Sequence, residues 1–156
     1  MIKSIGQALF FFLLIPASCF PWTGRVVGIS DGDTIRVMHW DRTKNVRLFG
    51  IDCPELGQAF GRKARRFTAK MAFGRIAEVK EVDEDRYGRT VAWVSVGGKS
   101  LNKELLRAGL AWWYRYFAPN ERELQQLEAE ARKSKIGLWF LPNPIPPWEF
   151  RRSERP

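Results

Sequence analysis

Acids and arginines gather in two stretches of this 156-residue chain. The first holds Asp31-Gly32-Asp33-Thr34, Val46-Arg47 and Asp52-Cys53-Pro54-Glu55, and the second runs from Asp83 to Arg89. Asp33 leaves a tight turn while Asp52 and Glu55 leave a neighbouring strand end, so a meander of strands can bring all three to one rim. Carboxylate oxygens on loops suit a hard cation such as Ca²⁺ or Mg²⁺, and two carboxylates with a backbone carbonyl leave coordination positions for water and a substrate phosphate. Arg47 and Arg89 can grip that phosphate bidentately and oppose the charge that grows on it during displacement. Together these residues compose a phosphodiesterase site. Each also has an ordinary structural use: Asp-Gly fits a hairpin turn, Asp before Cys-Pro punctuates a loop, and an arginine between Val46 and Leu48 is a solvent-facing strand residue.

Composition narrows the chemistry further. The single histidine, His39, excludes two-histidine acid-base mechanisms and multi-histidine metal sites, and reads as a plain strand residue. Two cysteines, Cys19 and Cys53, cannot build a zinc cluster or a disulfide framework. Lys plus Arg total 26 against 17 Asp plus Glu, a net charge of +9 that suits a polyanionic partner. With 45% apolar and 28% charged residues the chain can bury a core, and its length accommodates one domain.

The elements that must position these side chains follow from periodicity. Val26, Val27 and Ile29, then Ile35 and Val37, then Val46 and Leu48 define three strands in a meander, with Asp31-Gly32 as a turn. A second pair covers Arg75–Val82 and Arg89–Val96, joined by the polar link Asp83–Gly88 and stopped by Gly97-Gly98. Phe60, Ala64, Phe67 and Met71 fall on one face of a helix. Ser100 caps a short helix closed by Gly109, and Asn120 with Glu123 is a candidate capping box for a helix carrying Leu124, Leu127 and Ala131, closed by Gly137. Five short strands and three helices predict an α+β protein with a mainly β core, a five-stranded OB-type barrel with three packed α-helices.

The ends read differently. Residues 1–19 carry a charged start, an apolar run from Ala8 to Ile15 and a small-residue exit, the layout of a secretory signal peptide, so the protein is expected to be secreted or periplasmic. That run is far shorter than the ~20 residues of a spanning helix, so no stable membrane span is expected in the mature protein. Lipid anchoring at Cys19 is the weaker reading, because Pro16 stands where such signals carry a branched aliphatic residue. Residues 20–141 form the domain. Residues 142–156 form a proline-rich strap or tail; Pro142–Pro147 has four prolines in six residues, cannot be a central strand or helix, and would pack Trp148 and Phe150 back onto the domain.

In combination the motifs resemble the staphylococcal (thermo)nuclease family, calcium-dependent nucleases on an OB-fold. The resemblance runs through Ile29–Ile35, Val46–Glu55, Asp85–Arg89, Asn102–Ala111 and Glu128–Trp139, covering about residues 23–141. It implies Asp33 and Asp52 as calcium ligands with the main-chain carbonyl of Cys53. It further implies Glu55 as the residue that activates or orients the attacking water, Arg47 and Arg89 as phosphate clamps, Tyr87 at the terminal phosphate, and Asp31 as a nearby supporting acid. The implied reaction cuts DNA and RNA at the 5′ oxygen to leave 3′ phosphates; a monomer acting preferentially on single strands is expected. Three departures stand out. Cys53 replaces the family's threonine, the stretch from Glu55 to Phe60 is shorter, and the two base-flanking tyrosines fall at Arg115 and Phe117, leaving stacking to these or to Tyr114 and Tyr116.

Arg62, Lys63, Arg65, Arg66, Lys70 and Arg75 lie in an acid-free stretch, residues 56–77, that is either a solvated helix face or a phosphate-tracking surface. In the run Trp112–Phe117 the two tryptophans read as packing. The alternative to an enzyme is a non-catalytic nucleic-acid-binding OB-fold module. Such a module needs the arginines but not the carboxylates, and Asp33, Arg47, Asp52, Glu55 and Arg89 occur together. A basic membrane-surface protein is disfavoured, since no amphipathic basic helix with a strong aromatic face follows the leader.

Overall fold

A computed structural model gives the fold of residues 20–154, and the expected leader with Cys19 lies outside the described residues. The chain runs β1 (Trp22–Ile29), β2 (Thr34–His39), β3 (Arg42–Leu48), β4 (Ile51–Asp52), α1 (Gly61–Ala72), β5 (Ile76–Glu84), β6 (Thr90–Val96), β7 (Lys99–Ser100), α2 (Leu101–Arg107), β8 (Trp112–Trp113), α3 (Arg122–Lys133), a 3₁₀ turn (Gly137–Phe140) and α4 (Pro147–Ser153). Five strands in the order β3-β2-β1-β5-β6 form a barrel, closed by a parallel β3–β6 pairing at Val46↔Thr90 and Leu48↔Ala92. This is the α+β, five-stranded OB-type barrel expected.

Alternation builds it. Along β6, Thr90, Ala92, Val94 and Val96 point inward and the residues between them outward; along β2, Ile35 and Val37 are buried while Arg36 and Met38 are exposed. These side chains join Val26, Val46, Leu48 and Val79 in a core that also takes up Leu101, Leu105 and Leu106 of α2 and Leu124 of α3. Asn102 is the one fully buried amide in this core. Its Oδ1 accepts from the Val94 N–H at 3.0 Å, and its Nδ2 donates to the carbonyls of Phe49 (2.9 Å) and Ala92 (3.2 Å), fastening α2 to the barrel edge beside β3.

Two close approaches fix the helices relative to the strands. A Cβ on Gly61 would lie 1.8 Å from the Glu55 carbonyl oxygen, so only glycine lets α1 begin directly against the loop that carries Glu55. Gly109 ends α2 at φ +61 and faces Gly137, where a Cβ on either would fall within 2.2 Å of a backbone oxygen. That contact pins the turn after α3 to the end of α2.

The structure corrects three expectations. The capping box at Asn120 and Glu123 does not form: Glu121 is the N-cap of α3 with no side-chain cap, and the Glu123 carboxylate is drawn 2.7 Å from Lys103 Nζ on α2. An ion pair across two helices has outcompeted the local cap. The tail is also more than a strap, because a fourth helix, α4, follows the extended prolines with Pro147 at its first turn. Proline needs no N–H there, and its fixed φ starts the helix that it would break further on. The link Asp83–Gly88 is shorter than expected, since β5 continues to Glu84 through an irregularity between Glu81 and Asp83.

Candidate active site

Barrel closure brings the two acid-and-arginine stretches together. Thr34, the first residue of β2, pairs with Arg47 of β3, and β3 lies beside Thr90 and Val91 of β6, just after the turn that carries Arg89. Asp33 precedes β2 in a turn held by the Ser30 N–H on the Thr34 carbonyl (2.9 Å) and by the Asp33 N–H on Asp31 Oδ1 (3.0 Å). Asp52 is placed by the two-residue strand β4, which pairs with β8 so that Asp52 sits opposite Trp112.

The side chains form one continuous chain of contacts along the rim. Arg89 Nε donates to Asp85 Oδ2 (2.7 Å) and its Nη1 reaches Thr34 Oγ1 (3.5 Å), whose hydroxyl lies 3.3 Å from Asp33 Oδ1. Asp33 Oδ2 accepts the Cys53 backbone N–H (2.5 Å) and faces Arg47 Nη1 (3.0 Å). Arg47 Nη2 continues to Asp52 Oδ1 (2.8 Å). Arg151 of α4 completes the chain, with Nη2 on Asp52 Oδ2 (2.8 Å), Nη1 on Asp52 Oδ1 (3.3 Å) and Nη1 on Glu55 Oε1 (2.6 Å). Asp33, Arg47, Asp52, Glu55 and Arg89 thus meet as the sequence predicts.

Burial sets the electrostatics. The Asp33 and Asp52 side chains are 7% and 2% exposed, whereas Glu55 keeps 36% of its surface and is the one of the three that can reach a solvent water. Burial pushes the Asp33 carboxyl well above the usual carboxylate range, against the pull of Arg47, and nearby Asp31 and Asp52 push the same way. For Arg47 burial disfavours the charge, but Asp33 and Asp52 outweigh it and hold the guanidinium protonated. Asp85 is moved below its ordinary value: partial burial works against this, and hydrogen bonds from the Arg89 backbone and side chain and the Tyr87 N–H prevail.

The donors at the centre are carboxylate oxygens. The thiol of Cys53 is no soft alternative, because burial first and Asp33 second push it well up and keep it protonated. That chemistry fits a hard divalent cation held by Asp33 and Asp52. Among the described residues no three His, Cys, Asp or Glu side chains are grouped as a closed ligand set. The carboxylates are instead matched by the guanidiniums of Arg47 and Arg151.

Other expected residues sit further out. Tyr87 is 68% exposed on the turn before β6, its ring 5.5 Å from the Arg89 guanidinium and its hydroxyl accepting from Arg86 (2.7 Å). Arg115 and Phe117 are exposed beside Tyr116 on the loop after β8. Tyr114 is not free for a base, since its ring stacks on Trp148 at 5.3 Å and 7°. Trp112 is packing, as expected, edge-on to Trp139 at 4.4 Å. His39 lies at the end of β2, 4.2 Å from the Trp22 ring. Arg62, Lys63, Arg65, Arg66, Lys70 and Arg75 are all exposed. Arg151 is the site residue that the sequence did not reveal. Its one local signal is the spacing Trp148–Arg151, which places a half-buried aromatic anchor and a cation on one face of a helix.

A closed five-stranded barrel with paired acids and arginines on one rim is an OB-type fold with a charged site at its rim. The family profile described as Staphylococcal nuclease homologue matches residues 45–140. Among relatives, the chain is 38% identical to the "Micrococcal nuclease" of Shigella flexneri, covering 99% of this chain and 94% of that protein. It is 42% identical to "Protein ParB" of Escherichia coli over 83% of this chain and 78% of that one. It is 38% identical to an "Uncharacterized endonuclease" of Escherichia coli over 97% and 98%. The chain therefore belongs to the staphylococcal nuclease family. The matched profile begins after the Asp33 turn and ends before α4, so Asp33, Thr34 and Arg151 lie beyond it.

Proposed function

We propose that this protein is a calcium-dependent, sugar-nonspecific nuclease that hydrolyses phosphodiester bonds of DNA and RNA at the 5′ oxygen, leaving 3′-phosphate ends. The continuous rim from Arg89 through Asp33, Arg47 and Asp52 to Glu55 carries this reading, and the names of the relatives support it. A site built only to hold a polyanion would gain nothing from burying Asp33 and Asp52 at its centre, which argues against a purely binding module.

Asp33 and Asp52 would hold the cation with the Cys53 carbonyl. When bound, Ca²⁺ supplies positive charge at the scissile phosphate and a site for water. Glu55, the exposed carboxylate, orients the attacking water or receives its proton. Arg89 stands on the opposite side of Asp33 and contributes charge to the phosphoryl oxygens as the P–O5′ bond breaks and the 5′ oxygen takes up a proton. Arg47 is enclosed between Asp33 and Asp52, so its first task is to give two buried carboxyl groups a shared hydrogen-bonding partner; contact with a phosphate requires one of those pairs to loosen. Tyr87 flanks Arg89 on the terminal-phosphate side, and Phe117 with Arg115 and Tyr116 offers planar groups to unstacked bases. Single strands are accordingly the preferred substrate, and the enzyme works as a monomer. The leader-like residues 1–19 support export with processing near residues 18–20.

Digestion of single-stranded DNA, duplex DNA and RNA with Ca²⁺ and again with a chelator tests the proposal. Cleavage with Ca²⁺ that stops on chelation and leaves 3′-phosphate ends is the expected result. Activity that survives chelation would remove the metal assignment, and binding of all three without cleavage would make the chain a binding module.

A further inference from the structure

Helix α4 carries a charged side chain into the centre of the rim, from outside the span that the family profile matches. Its approach is determined on both sides. Pro147 is buried, and Trp148 stacks on Tyr114 and meets Trp112 edge-on at 5.6 Å and 75°. Trp112 belongs to β8, whose partner strand bears Asp52. On the other side Gln58 Nε2 donates to the Ile145 carbonyl (2.7 Å) while Gln58 Oε1 accepts the Glu55 N–H (3.0 Å). The strap is thus tied to the backbone at Glu55 and to the strand opposite Asp52, and Arg151 spans the two carboxylates.

Charge balance gives this bridge its consequence. Arg47 serves Asp33 and Asp52 and does not reach Glu55. Among the described residues Arg151 alone bonds Glu55 to a cation, with Nη1 shared between Glu55 Oε1 and Asp52 Oδ1 and Nη2 on Asp52 Oδ2. Without it, Asp52 keeps its pair with Arg47 while Glu55 loses its bonded cation beside another carboxylate, and Glu55, being exposed, is the one that swings out to water. The Arg151 guanidinium remains 38% exposed, so it restrains Glu55 without sealing the site.

We infer that Arg151 is a positioning residue of the nuclease centre: it holds the Glu55 carboxylate against Asp52 in the orientation that the attacking water needs, and α4 is its mount. This rests on the proposed nuclease reading. Arg151 acts through Glu55, and a displacement of about 1 Å in a group that aligns a nucleophile can cost about 10²-fold in rate.

The test uses the full chain with Arg151→Ala, Arg151→Lys, Glu55→Gln and the double variant Glu55→Gln/Arg151→Ala, on a single-stranded oligonucleotide at saturating Ca²⁺. Ca²⁺ affinity is measured separately by calorimetry without substrate. Arg151→Ala should lower kcat by about 10²-fold with KM within a few-fold and Ca²⁺ affinity not weakened. Arg151→Lys should recover part of the loss, and the double variant should be no slower than Glu55→Gln, as two residues acting through one step require. Should Arg151→Ala fail to fold by circular dichroism, Arg151→Gln takes its place. Four results would overturn the inference. These are turnover near wild type, losses that multiply in the double variant, weakened Ca²⁺ binding with full turnover at saturation, and tighter Ca²⁺ binding with equal or faster turnover, which would make α4 a competitor for the cation. If wild type itself cuts neither DNA nor RNA, the nuclease reading fails and takes this inference with it; an active wild type with an unaffected Arg151→Ala rejects the inference alone.

Discussion

Cys53 shows how closely residue-level chemistry follows from surroundings. Its side chain is buried against the Gly32 turn, where even a glycine-sized gap is filled: a Cβ on Gly32 would lie 2.8 Å from Cys53 Sγ. Burial and then Asp33 push the thiol up, so it is neither nucleophile nor metal ligand at neutral pH. Cys53→Thr is therefore expected to keep Ca²⁺ dependence and turnover within a few-fold, measured on DNA under saturating conditions; a loss of about 10²-fold would show that the thiol takes part in the chemistry. The members of the rim from Asp33 to Arg89 were legible as residue types at motif spacing. Arg151 was not, because its partners lie 96 and 99 residues earlier and nothing in an Arg-Arg pair near a chain end tells which carboxylates it will meet. Arg47 was legible as a site residue, but its enclosure between two carboxylates depends on the β2–β3 register and on the β4–β8 pairing that places Asp52, and the second of these is encoded by no local pattern.

At the scale of elements, period-two alternation located all five barrel strands and period-3.6 spacing located α1 and α3, since burial on one face leaves its mark directly in the sequence, while α2 was located by its Ser100 cap and Gly109 stop. Boundaries set by tertiary contacts were harder. The start of α3 was decided by Lys103 on another helix, and α4 was hidden because proline reads as a breaker unless its place at a first turn is known. Asn102 illustrates an element held by a single buried polar side chain. Removing its amide leaves the Val94 N–H and the Phe49 and Ala92 carbonyls short of partners inside the core. Asn102→Ala should cost about 2–3 kcal/mol, with partners left unsatisfied as the main cause. Calorimetry should find Tm lowered by roughly 4–12 °C for a domain of this size; an unchanged Tm would mean that water or a shifted α2 restores the bonds.

For the whole molecule, the net charge of +9 is unevenly placed: the exposed cations of α1 and its flanks form an acid-free surface that begins next to Glu55. If this surface tracks phosphates, single-strand binding by the Glu55→Gln variant should weaken with salt, and Arg62→Gln/Arg66→Gln should reduce the slope of log K against log salt by about 1.4, at about 0.7 per lost contact. An unchanged slope would leave α1 as a solvated face. The site itself draws on the whole fold, because its carboxylates and guanidiniums come from the turn before β2, from β3, from β4 and the loop after it, from the turn before β6 and from α4. The central claim is that this assembled rim hydrolyses phosphodiesters through Glu55 and a cation held by the buried aspartates. Single-turnover cleavage of an end-labelled oligonucleotide by wild type and Glu55→Gln at saturating Ca²⁺ tests it most directly. A loss of about 10²- to 10³-fold with unchanged circular dichroism and substrate binding is predicted, whereas cleavage by Glu55→Gln at the wild-type rate would contradict the assignment of this rim as the catalytic centre.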